Sequence, residues 1–183
     1  MNSRYFRTML SISKSEFNVI GFLIRQFSKR FTIRGIALKL GISSAGMHAV
    51  LKKLGKSGVV KAERLGTGLF YEIDLSNKIA QHLAAVILLR HFDIKSIDIS
   101  ELEKESKAVI FDGKRILAVT SDGDAVKDIC YRNFKEIKVI CKGEEEFVEA
   151  LRGKEKDVLE ILENGNVLFG EELILNSIKR VMR

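Results

Sequence analysis

Residues 108–125, AVIFDGKRILAVTSDGDA, carry the carboxylates whose placement most suggests chemistry. The run reads as a strand, a glycine turn, a second strand and an acidic loop, an arrangement that could hold metal-bound nucleotide phosphates. Asp112 stands in the turn, while Asp122 and Asp124 have the i, i+2 spacing of a metal-binding pair. Yet a glycine separates these two, and both follow the strand instead of lying within it. Turn formation, and a helix cap at Asp124, are the ordinary uses of Asp in such a place. The strand RILAVTS has no carboxylate, and the next one, EIKVIC, has only Glu136, at its start. The stretch therefore reads as an inactive site, with no catalytic residue, metal ligand or cofactor expected.

Other reactive residues form no legible constellation. Cys130 and Cys141 fall on a predicted helix and a predicted strand without CxxC spacing or neighbouring histidines, so buried free thiols are expected and not zinc or a disulfide framework. His82 and His91 are too far apart on one helix to share a metal. There is no nucleophile elbow, no HExxH and no Gly-rich nucleotide fingerprint. The run Glu144–Glu146 suits the first turn of a helix, at the positive end of its dipole.

The charge distribution directs attention to the other end of the chain. Of 183 residues, 46% are hydrophobic and 30% charged, ordinary globular composition with room for two small domains. Residues 1–75 carry 13 Lys+Arg against 4 Asp+Glu, and residues 76–183 carry 18 against 20, so the net +7 resides entirely in the first part. A basic domain joined to a near-neutral one implies that the first meets a polyanion. No segment approaches the ~18 apolar residues of a membrane span. The N-terminus has neither the apolar core nor the cleavage site of a signal peptide, so a soluble, cytoplasmic protein is expected.

The elements of the basic part follow from periodicity. SEFNVIGFLIRQF places Phe17, Ile20, Leu23, Ile24 and Phe27 on one helical face, with Ser15 as the expected cap. TIRGIALKLGI gives a short second helix with Ile33, Ile36, Ala37 and Leu40 inward, ended by Gly41. Ser43 then caps a third helix, SAGMHAVLKKLGKSG, with Met47, Val50, Leu51 and Leu54 as its core stripe and Ser44, His48, Lys52 and Lys53 on its polar face. After Gly58 the period changes from helical to alternating: VVKAERL and LFYEIDL are strands joined by Gly66-Thr67-Gly68, a hairpin.

Three helices and a hairpin in this order resemble the winged helix-turn-helix domain of prokaryotic and archaeal MarR- and ArsR-type transcriptional regulators. The resemblance covers about sixty residues, IALKLGISSAGMHAVLKKLGKSGVVKAERLGTGLFYEIDL and the helix before it. It implies double-stranded DNA as partner, with the third helix in the major groove and the wing on phosphates or the minor groove. Carried over by position, Ser43, Ser44, Ala45 and His48 would approach base edges or phosphates. Lys52, Lys53, Lys61, Arg64 and Thr67 would meet the backbone, as would Arg34 at the start of the second helix. Ala45, Gly46 and Ala49 stand where long polar readers are common in the family, so base-specific contacts are few.

Residues 76–94, SNKIAQHLAAVILLRHFDI, form a helix apolar most of the way round, and so buried twice: against the winged helix and against either a partner chain or a second domain. A homodimer through this helix would present two recognition helices to two half-sites. Residues 95–107 are polar and charged, an expected linker. Beyond them, strands and helices alternate in a small α/β domain. Its order, its VIFDG strand end and its closing VLEILENGNVLFGEELI resemble the minimal nucleotidyltransferase domains of small archaeal and bacterial proteins. That family's metal-binding pair is what RILAVTS lacks.

The expected class is α+β: a winged helix over residues 1–75, a connecting helix and linker over 76–107, and a nucleotidyltransferase-like domain over 108–183. The expected function is dimeric, DNA-binding transcription regulation, with a catalytically silent second domain for sensing or assembly. The alternatives are an active magnesium-dependent nucleotidyltransferase using Asp112, Asp122 and Asp124, a protein-assembly module without specific DNA binding, and a regulator gated by an unidentified small molecule or nucleotide.

Overall fold

The computed structural model describes residues 12–89, 99–134 and 136–182. Helix α1 (Lys14–Arg25) begins one turn before its apolar stripe, and its cap is Ser13, not Ser15. The Ser13 hydroxyl accepts from the Glu16 amide at 3.2 Å while a Glu16 carboxylate oxygen accepts from the Ser13 amide at 3.0 Å. This reciprocal Ser-x-x-Glu pair satisfies two backbone donors, which Ser15 could not do for a helix already under way. Buried Val19, Ile20, Leu23 and Ile24 form its inner face, each contributing roughly 1.5–3 kcal/mol.

Strand β1 (Phe31–Thr32) follows, then α2 (Ile33–Leu40), capped by the Thr32 side chain. Gly41 ends α2 at φ +64°, a left-handed conformation that costs glycine nothing and turns the chain sharply into α3 (Ser44–Lys56). Ser43 caps α3 as expected, accepting from the Gly46 amide at 3.1 Å. Strands β2 (Val60–Leu65) and β3 (Gly68–Ile73) form the hairpin, and Leu65 pairs with Gly68 around a two-residue tip in which Gly66 has φ +57°. The sheet order is β1-β3-β2, because Phe31 and Thr32 pair with Tyr71 and Phe70. This is a winged helix, with β1 as a third strand that two residues are too few to announce by alternation.

Helix α4 (Lys78–Leu88) is capped by the Asn77 side chain and buries Ala80, Ala84, Ile87 and Leu88. Its packing partners are α1 and, from the second domain, α9 (Glu171–Val181). Of the two covers the sequence allowed for this helix, the structure therefore supplies the second domain. His91 and the remainder of the predicted helix to residue 94 lie outside the described residues, as does Lys135.

The second domain starts inside the expected linker. Helix α5 (Ser100–Glu105) inserts a fully buried Leu102 beneath the sheet, and Ser106 donates its hydroxyl to the Leu102 carbonyl at 2.6 Å. One buried leucine is what makes this charged stretch part of the domain, a signal too sparse for a periodicity count. Strands β4 (Ala108–Phe111) and β5 (Arg115–Val119) form a hairpin. A crossover through α6 (Gly123–Asn133) then brings β6 (Lys138–Lys142) parallel to β5. Helices α7 (Glu144–Arg152) and α8 (Lys156–Asn164) precede β7 (Asn166–Phe169), which pairs antiparallel with β4 and gives the order β6-β5-β4-β7. The cap of α6 is Asp122, whose carboxylate accepts from the Ala125 amide at 3.0 Å. Asp124 lies inside the first turn, correcting the expected cap by two residues.

Strand alternation divides the interior. Val109, Ile116 and Ala118 face Leu102 of α5 and Val126, Ile129 and Cys130 of α6. Ala108, Ile110, Leu117 and Val119 face the other way, toward Phe147, Leu151, Ile161, Ile174 and Ile178 of α7, α8 and α9. That second cluster continues through α9 and α4 into the winged-helix core, so the two domains share one apolar interior. Polar contacts seal the boundary: Lys29 meets Glu163 at 2.6 Å, and the Arg25 guanidinium donates to the Gly165 carbonyl.

Candidate nucleic-acid interface

All ten residues predicted to meet DNA are exposed: Arg34, Ser43, Ser44, Ala45, His48, Lys52, Lys53, Lys61, Arg64 and Thr67. The elements explain why. The core stripe of α3, buried Met47, Leu51 and Leu54, holds the helix against α1 and α2 and turns Ser44, Ala45, His48, Ala49 and Lys52 outward. On the wing, alternation sends Val60 and Ile73 into the core, while Ala62 and Arg64 continue along the same face toward the tip. His48, Leu51 and Lys52 of α3 share with Val60, Lys61, Ala62, Tyr71 and Asp74 an open cleft of about 590 Å³. Helix α3 and the wing thus border one concave surface, with Tyr71 as an aromatic wall that sequence reasoning did not single out.

Ion pairing separates the basic residues into two groups. Lys53 lies 2.8 Å from Glu16, Lys61 2.9 Å from Glu72, and Arg30 3.2 Å from Glu63. The hydrogen bond to Glu72 raises the Lys61 pKa above the ordinary lysine value against the opposing effect of burial. Arg34, Lys52 and Arg64 make no ion pair among the described residues. They are the cations most available to phosphate. Ser43 has its hydroxyl oxygen engaged as a cap, and the exposed tops of Ala45 and Ala49 give α3 a smooth, small-residue surface where base edges would lie.

The three candidate carboxylates of the second domain, Asp112, Asp122 and Asp124, are each engaged with a different set of partners. Asp112 accepts from the Lys114 and Arg115 amides at 3.0 and 2.7 Å and from the Arg115 guanidinium at 2.8 Å. Burial works to raise its pKa, but these three donors overcome it and hold the carboxyl below the usual range. Asp122 is a helix cap, Asp124 pairs with Lys127 at 3.1 Å, and exposed Glu136 sits at φ +61° before β6. On β5, Arg115 joins Asp112 at 2.8 Å to Glu160 at 3.1 Å. Among the described residues, no three His, Cys, Asp or Glu side chains are placed to hold a metal ion. Cys130 is buried and its thiol pushed up to about 11, by burial first and by nearby Cys141 second, as befits an unreactive core residue.

No helix among the described residues is long and apolar enough to cross a membrane. No known protein family matches the chain, nor does any curated protein. Solved structures offer partial likenesses. A mutant of Lactococcus lactis ZitR is 20% identical with a TM-score of 0.34, over 41% of this chain and 52% of that one. The adhesin competence repressor AdcR of Streptococcus pyogenes is 17% identical with a TM-score of 0.39, over 51% and 74%. The chain thus spans about half the length of the first of these, and its description as a winged helix stands on the element order and strand register given above.

Proposed function

We propose that the protein is a DNA-binding transcriptional regulator whose winged helix engages duplex DNA and whose second domain is a catalytically silent, nucleotidyltransferase-like module for sensing or assembly. One observation carries the reading: α3 and the wing border a common concave surface on which Lys52 makes no ion pair among the described residues, Arg64 lies likewise unpaired farther along the same wing face, and the acids Glu16, Glu63 and Glu72 are each tied to a cation while Asp74, at the cleft, accepts from Ser76. Such a surface, on which cations outnumber the acids left unpaired, attracts phosphate. The silence of the second domain is supported by the engagement of Asp112, Asp122 and Asp124 in a turn, a cap and an i, i+3 ion pair. The cellular location that fits this role is the cytoplasm.

The regulator acts as a homodimer through the exposed side of α4, where Ile79 and Val86 remain uncovered. A ligand-gated form has its own support: a cleft of about 200 Å³ between α4 and α9, lined by Gln81, His82, Glu172, Asn176 and Lys179, where a small polar effector could bear on how the domains pack. Selection of bound fragments from a genomic DNA library tests the proposal. Recovery of a shared two-half-site motif is the expected result, and failure to retain any fragment would refute it.

A further inference from the structure

The tip of the wing is apolar where a simple phosphate clamp would be basic. Leu65 and Leu69 are 39% and 38% exposed on either side of Gly66-Thr67-Gly68, and Arg64 is the register partner of Leu69. Because side chains alternate across the ribbon, Leu69 projects on the face that carries Arg64, Ala62 and Tyr71, the face bordering the cleft shared with α3. The tip is also slim, since two of its three residues have no side chain. Helix α3 and the wing both offer few polar groups to bases: Ala45 and Ala49 leave Ser44 and His48 as the exposed polar side chains of that face near the start of α3, and the wing tip offers hydrocarbon beside one guanidinium.

We propose that the wing tip inserts into the minor groove as a wedge, Arg64 meeting the phosphates or the groove's acceptor edge while Leu69 on the same face and Leu65 on the opposite face pack against sugars and an opened base step. Apolar side chains used in this way unstack a step and kink the duplex, and the deformation is easiest at pyrimidine–purine steps. Site choice then rests on how readily the flanking DNA bends, which substitutes for the missing base contacts of α3. The inference rests on the DNA-binding reading above and adds its mode of discrimination.

Duplexes that carry either a TA step or a stiff A-tract in the flanking minor groove, end-labelled for energy transfer, test it with the full chain. Wild-type protein should shorten the end-to-end distance of the TA duplex, consistent with a bend of roughly 20–90°, and should prefer it to the A-tract duplex by about tenfold. L65A/L69A, altered only at exposed positions, should still bind but lose the bend and most of the preference. R64A should weaken both duplexes alike. Wild-type binding without bending, or an unchanged bend in L65A/L69A, overturns the wedge and leaves the regulator reading intact. Absence of binding to either duplex at low salt overturns both.

Discussion

Lys53 of α3 lies 2.8 Å from Glu16 of α1, and Glu16 is at the same time the capping-box carboxylate of α1. The side chain of Glu16 is only 6% exposed, while that of Lys53 is 60% exposed. A residue that position alone would assign to the DNA backbone therefore also joins the recognition helix to the helix behind it. Lys53→Ala should lower stability by about 1 kcal/mol, toward the low end of the range for a buried acceptor losing its donor because the ammonium itself faces water. Chemical denaturation checks this, and Glu16→Ala, which removes the cap as well, should cost more.

Lys52 and Arg64 lack such internal commitments among the described residues. Lys52→Ala and Arg64→Ala should each weaken binding to all duplexes and reduce the slope of log K against log salt by about 0.9, the release of one phosphate's counterions. Lys53→Ala and Lys61→Ala should change that slope less, since Glu16 and Glu72 already neutralise them. Anisotropy titrations at four salt concentrations separate the two groups.

The contrast marks what the sequence could and could not convey. Core stripes, the Gly41 turn, the Ser43 cap and the hairpin were all legible, because periodicity and turn chemistry are local. So were the strands and helices after residue 107. The Ser13-x-x-Glu16 capping box is equally local, but Ser15 offers a competing cap nearer the apolar stripe. The division of the lysines was not legible, because Glu16 and Lys53 are 37 residues apart and meet only in the folded chain. Leu102 was not legible for a different reason: a single apolar residue among charges carries no period, yet it packs α5 against the second sheet.

Asp112 makes the second domain's stability depend on acid. Its carboxyl is held below the usual range, so the stabilisation is fully present above the unfolded-state pKa of about 3.9 and is lost as pH falls through the lower, folded value. Asp112→Asn should be less stable than wild type by a constant amount above about pH 5, and the difference should shrink below about pH 4. Thermal unfolding of both proteins from pH 3 to 7 checks the sign and the window.

Val86 is 62% exposed on α4, whereas Ala84, two residues earlier, is fully buried. Val86→Glu should change stability by no more than about 0.5 kcal/mol and convert the proposed dimer to a monomer. Ala84→Glu should instead prevent folding. Sedimentation equilibrium decides the matter: a variant that remains dimeric, or a wild type that is monomeric throughout, would remove α4 as the dimer surface.

On the proposed reading, the exposed surface of α3 and the wing binds duplex DNA through uncommitted cations. The most direct test is titration of a fluorescent duplex with the full-length protein from 50 to 300 mM salt. Log K should fall linearly with log salt, with the slope reduced in the combined Lys52→Ala, Arg64→Ala variant by about twice 0.9. Wild-type binding that is absent at 50 mM salt, or a slope identical in the variant, would contradict it.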